Sequence, residues 1–189
     1  MWTKNKTILL LAAAGILLFS AIQGIVLPQW DRQKQVYAAE QQSPLTHDLQ
    51  SIMKYQNKYM GNASNLSNLM HTLPLNEVRS TMELHPDSLT ADIIYHAETA
   101  DLDTEDLERS LIYNATAAFA LIDNLKQIRF KFDDRTYSVE RSTVESWYGK
   151  KLSSLTDSPK IWKPDVQEPL ADRNYVKKGI NSLFTVTDV

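Results

Sequence analysis

Hydrophobic and polar positions divide the chain into three regimes. An uncharged run fills 7–27 (TILLLAAAGILLFSAIQGIVL), a polar, Gln-rich stretch without sustained periodicity follows over 28–44, and apolar residues recur at regular spacings from Leu45 onward. Leu49, Ile52, Met53 and Gln56 step at helical intervals behind Thr46, a candidate N-cap. A turn is expected at Gly61-Asn62, residue types that tolerate positive φ. Ser64 then offers a second cap to a stripe of Leu66, Leu69, Met70 and Leu73 that Pro74 ends.

Period two follows. Val78, Ser80, Met82 and Leu84 alternate with charged and polar neighbours, His85-Pro86-Asp87-Ser88 supplies turn chemistry, and 91–96 (ADIIYH) is rich in strand formers, which predicts an antiparallel hairpin. Asp103 or Thr104 caps the longest helix, with Glu105, Asp106 and Glu108 at the positive end of its dipole. Leu107, Leu111, Ala115, Ala118, Ile122 and Leu125 share a face, and 115–122 is nearly all apolar, so the helix is buried on more than one side. Strands are expected at 127–133, with Ile128, Phe130 and Phe132 inward, and at 136–141. Ser142 and Glu145 form a capping box ahead of Val144, Trp147, Tyr148 and Leu152. Pro159, Pro164 and Pro169 predict an extended, non-helical stretch, followed by a short helix over 171–181 and an optional edge strand at 183–186.

The expected fold is therefore α+β: an N-terminal transmembrane helix, then a small four-stranded, mainly antiparallel sheet with helices packed on one face. As a helix the run 7–27 would be about 31 Å long, matching a hydrocarbon core of about 30 Å. Lys4 and Lys6 precede it, which favours the N-terminus inside. The organisation read from the chain is a cytoplasmic tail (1–6), a single-pass membrane anchor (7–27), a linker (28–44), an extracytoplasmic domain (45–155) and a Pro-containing C-terminal tail (156–189). The alternative is secretion after cleavage near Val36-Tyr37-Ala38.

Composition narrows the function classes. The chain has 189 residues and no cysteine, so disulfides, thiol nucleophiles and lipid attachment at a cysteine are all excluded. Its five glycines form no phosphate-cradling loop. Taking the four basic residues and one acid of 1–38 from the totals of 20 and 23 leaves 16 and 22, a net charge of −6, which argues against nucleic acid and anionic lipid surfaces as partners. The four histidines, 47, 71, 85 and 96, make no metal motif; His85 and His96 would face each other across the hairpin with Asp87 or Glu98 nearby, and are read as surface residues. The acidic run Asp101 to Glu108 lacks the glycine and glutamate of a calcium loop. No metal and no cofactor is expected.

The block Lys54 to Leu66 (KYQNKYMGNASNL), followed by Leu73-Pro74-Leu75, and a second block Asn114 to Asn124 (NATAAFALIDN) before Gln-Ile-Arg-Phe, resemble a bacterial family known as domain of unknown function 4825 over about 45–155. The resemblance implies an extracytoplasmic module of Gram-positive bacteria, sometimes joined to sensor-type membrane proteins, with no catalytic residues to carry over. Asn62 stands where Asp is frequent in that family, and the lipid-attachment cysteine of some members is missing. Gly61, Pro74, Phe119, Asp123 and Asn124 are read as structural, with Tyr59 a packed aromatic beside a positive-φ turn. Tyr55, Tyr59 and Asn62 are the expected binding surface, because polar-tipped aromatics suit interfaces. The leading reading is a non-enzymatic module that binds another membrane or envelope protein; an envelope hydrolase with paired carboxylates and a small-ligand or ion-binding module are the alternatives.

Overall fold

Helix α5 (Thr104–Leu121) organises the fold. Asp103 caps it by accepting a hydrogen bond from the Asp106 amide at 2.9 Å, and its residues from Arg109 to Leu121 are all buried. The computed structural model describes residues 2–189, apart from the side chains of 2–5, 12, 13, 16, 17, 21, 25 and 26; Met1 and the Lys4 side chain thus lie outside the described residues. Two units separate at 40/41, and 41–189 is one body with one apolar core.

In the first unit, α1 (Trp2–Ala21) passes through a π-helical turn (Ile22–Val26) into α2 (Leu27–Gln42), which ends in the second unit, so most of the expected linker is helical. Among the described residues no helix is long and apolar enough to cross a membrane, so the expected transmembrane helix is not supported. The apolar run 7–27 does not lie in a single α-helix: α1 ends at Ala21 and a π-helical turn occupies Ile22–Val26.

The sheet also differs from expectation. It has five strands in the order β1 (Ser80–His85), β2 (Thr90–Tyr95), β3 (Gln127–Lys131), β4 (Arg135–Glu140) and β5 (Phe184–Asp188), rather than four. It is mixed, because β2 and β3 run parallel while the other pairs are antiparallel. The α5 crossover causes this: the chain leaves β2 at Tyr95, returns through the helix and enters β3 in the same direction. Ala91, Ile93 and Tyr95 of β2 and Ile128 and Phe130 of β3 are buried in one cluster with α5. Residues of opposite parity, among them Glu83, His85, Asp92, Arg129 and Lys131, share the other face.

Other elements supply walls and caps. Asp48, rather than Thr46, caps α3 (Leu49–Met53), and Asn62, rather than Ser64, caps α4 (Ala63–Met70). α6 (Arg141–Tyr148) begins before the expected capping box, without a side-chain cap, and ends on Gly149 at φ 63°. The segment 156–189 is not a loose tail. Each of its three prolines falls at the first or second position of a short helical turn: α7 (Pro159–Trp162), a π turn (Lys163–Gln167) and a 3-10 turn (Glu168–Ala171). Pro159 starts its turn from an extended cap at Ser158, where a missing N–H costs nothing. α8 (Arg173–Leu183) then leads into β5, and Trp162, Val166, Leu170, Val176, Ile180, Leu183 and Phe184 are buried.

A polar chain crosses this core. His47 is buried, with Nε2 2.9 Å from the Thr72 carbonyl oxygen and Nδ1 2.9 Å from the Tyr113 hydroxyl. A carbonyl only accepts, so Nε2 carries the proton and Nδ1 accepts from Tyr113, whose oxygen in turn accepts from Trp162 Nε1 at 3.3 Å. Burial lowers the His47 pKa below 6.5, against the raising effects of the Thr72 carbonyl and Asp48.

Candidate functional site: the Tyr59 loop and the open sheet face

The loop between α3 and α4 is fastened along its length. The Asn57 amide donates to the Leu121 carbonyl at 2.8 Å, and the Asp123 amide to the Asn57 carbonyl at 3.0 Å, so the loop forms a bridge with the exit of α5. Asn57 Oδ1 accepts from the Tyr59 amide at 2.9 Å, and Asn124 Oδ1 accepts from the Met60 amide at 2.6 Å. Past the tip, Asn62 Oδ1 accepts from the Asn65 amide at 3.2 Å, while Asn65 Nδ2 donates to the Tyr55 carbonyl at 2.6 Å.

The consequence is a rigid tip with its aromatic outside. Tyr59 is 67% exposed, and Met60 fills the buried position that was expected for Tyr59. Gly61 does not have positive φ, which among the described residues belongs to Leu75, Leu89 and Gly149, and a Cβ at Gly61 would meet open space. Tyr55 is half-buried, its hydroxyl 3.2 Å from Thr72 Oγ1 and its ring 5.0 Å from Lys54 Nζ. Of the three expected surface residues, Tyr55 and Asn62 thus build the loop and Tyr59 is presented by it.

Of the residues read as structural, Gly61 meets no steric demand, while Pro74, Phe119, Asp123 and Asn124 each make a defined contact. Buried Pro74 accepts from Asn114 Nδ2 at 2.7 Å, and Phe119 is buried beneath the Arg141 guanidinium, 5.3 Å from its ring centre. Arg141 Nε donates to the Leu125 carbonyl at 2.7 Å, while its terminal nitrogen reaches the Ile122 carbonyl, so a cation closes the C-terminal end of α5. Asp123 acts through its amide and Asn124 through its side chain. Both motif blocks therefore meet at one junction.

That junction lies inside the stretch that a family model matches. Residues 52–143 match the family model described as Domain of unknown function (DUF4825). This stretch belongs to the DUF4825 family. No curated protein and no solved structure matches the chain.

A second feature of the DUF4825 domain is the open sheet face. Asp92 is 1% exposed at its centre, with Oδ1 2.6 Å from Arg129 Nε, and Oδ2 2.9 Å from Arg129 Nη2 and 2.8 Å from Lys131 Nζ. Burial opposes the charge on Asp92, but the hydrogen bonds from Lys131 and Arg129, the Arg129 charge and the nearby His85 outweigh it and hold the pKa below 3.8. His85 lies at the hairpin tip opposite Thr90, and His96 follows β2 at the far end, so the two histidines do not face each other. The acid beside His85 is Asp92, not Asp87.

At one end of this face lies a cleft of about 420 Å³, lined by Ser88, Thr90, Lys126, Gln127, Glu140, Arg141, Ser142 and Glu145. Ser88 Oγ donates to Thr90 Oγ1 at 2.9 Å, and Thr90 Oγ1 lies 3.2 Å from Gln127 Oε1, which fixes its floor. Alternation along 127–133 places Arg129 and Lys131 outward but does not single out Asp92. An acid enclosed by Ala91 and Ile93-Ile94 is the signal that would have found it, since an acid inside an apolar strand needs cationic partners.

Proposed function

We propose that the domain is a non-catalytic module that binds another protein outside the cytoplasm, with Tyr59 as its central contact. The observation that carries this reading is a 67% exposed tyrosine on a loop fixed before, at and after its tip. A presented tyrosine offers a large apolar face and a hydroxyl to a partner, and a loop already ordered loses little entropy on binding. Tyrosines at the centres of interfaces commonly contribute about 2 kcal/mol or more. The net charge of −6 over 39–189 favours a protein partner over anionic lipid or nucleic acid. Two lysines ahead of an apolar run support export to the envelope of a Gram-positive cell, in line with the family resemblance.

The test uses a photo-crosslinking amino acid placed at 59 in the full chain in its native cells, with position 177 as an exposed control. The proposal predicts a defined adduct from 59 that purified wild-type protein competes away and the Y59A protein does not. Equal adducts from both positions, or equal competition by Y59A, would sink it.

A further inference from the structure

We propose that Glu83, His85 and Asp92 bind one divalent transition-metal ion, zinc being the best fit, by displacing the Lys131 ammonium from Asp92. This is independent of the protein-binding role of Tyr59. Residues 83 and 85 share a face of β1, and the register sets Glu83 directly opposite Asp92. One donor atom from each of the three side chains lies within 4.8 Å of the other two. His85 Nε2 is a buried atom on a half-exposed side chain; it makes no well-aligned hydrogen bond and stands 3.3 Å from Asp92 Oδ2, its ion-pair partner when protonated.

The surroundings already bind a cation there: Lys131 Nζ lies 2.8 Å from the same Oδ2. Lysine carries one charge on a flexible, half-exposed stem, so it can leave, whereas Arg129 stays on the carboxylate, Nε on Oδ1 at 2.6 Å and Nη2 on Oδ2 at 2.9 Å, as the outer hydrogen bonds that orient a ligating carboxylate. Tetrahedral bonds of about 2.0–2.2 Å bring ligand atoms to within about 3.5 Å of one another. The inward movement of about 1 Å that this requires falls on exposed Glu83 and half-exposed His85 rather than on buried Asp92. An imidazole nitrogen beside two carboxylates disfavours calcium and magnesium, which take oxygen, and suits zinc with water in the fourth position.

Calorimetric titration of the untagged full chain with zinc chloride near neutral pH tests this. The expected result is one saturable site, weakened about tenfold or more in H85A and in E83Q, and tightened in K131M, where the displaced ammonium is gone. E83Q alters an exposed side chain and leaves the fold intact even if H85A does not. No saturable binding below about 1 mM zinc, undiminished binding in E83Q, or weaker binding in K131M would each overturn the assignment.

Discussion

Asn124 shows how one side chain sets the position of another. Its Oδ1 accepts the Met60 amide at 2.6 Å, next to the residue that points Tyr59 outward. N124A leaves that amide without its partner, at a cost of about 1–3 kcal/mol. It should lower the melting temperature and speed hydrogen exchange at 58–61, whereas Y59A should leave both unchanged, because an exposed ring contributes little to folding. At the same scale, His47 makes stability depend on pH. Its folded pKa is lowered below 6.5 by burial, so the unfolded chain takes up the proton first. Stability is full above pH 6.5 and falls as the pH drops below it; melting curves from pH 8 to 5.5 should show that decline, and a flat profile would contradict the buried neutral imidazole.

Elements that carry their own local signals were legible in the sequence. The β1–β2 hairpin and α5 follow directly from alternation, turn residues and the Asp103 cap. What was not legible depends on pairing. Alternation says which residues share a face of a strand but not which strand lies alongside, so the parallel β2–β3 register, and with it the meeting of Asp92 with Arg129 and Lys131, stayed hidden. The same holds for the loop: apolar character marks both Tyr59 and Met60, and which one turns inward depends on the bonds of Asn57 and Asn124 to the loop backbone, with Asn124 and the Leu121 and Asp123 partners of Asn57 distant in the chain. Prolines misled in the C-terminal segment because residues that forbid helix interiors are welcome in first turns. Caps remain testable element by element. N62A removes the acceptor for the Asn65 amide and should cost about 1 kcal/mol, read as a shift of the denaturation midpoint.

For the whole molecule, the decisive fact is that the segment after 155 belongs to the core of the 41–189 unit. Seven buried apolar residues lie in it, and at about 1.5–3 kcal/mol each their burial contributes on the order of 10–20 kcal/mol before the cost of ordering the segment. β5 also covers the edge of β4. A chain ending at 155 should therefore fail to give a cooperative thermal transition, although it contains the whole DUF4825 match at 52–143. A cooperative transition in the truncated chain would show that the family core folds without its C-terminal wall.

Tyr59, presented on a fixed loop, is the contact on which binding depends. With the partner captured by crosslinking at 59, its affinity for wild-type and Y59A chains is the most direct measurement. A loss of about thirtyfold, equivalent to about 2 kcal/mol, with unchanged melting is the predicted result. Affinities within about twofold of each other would contradict it.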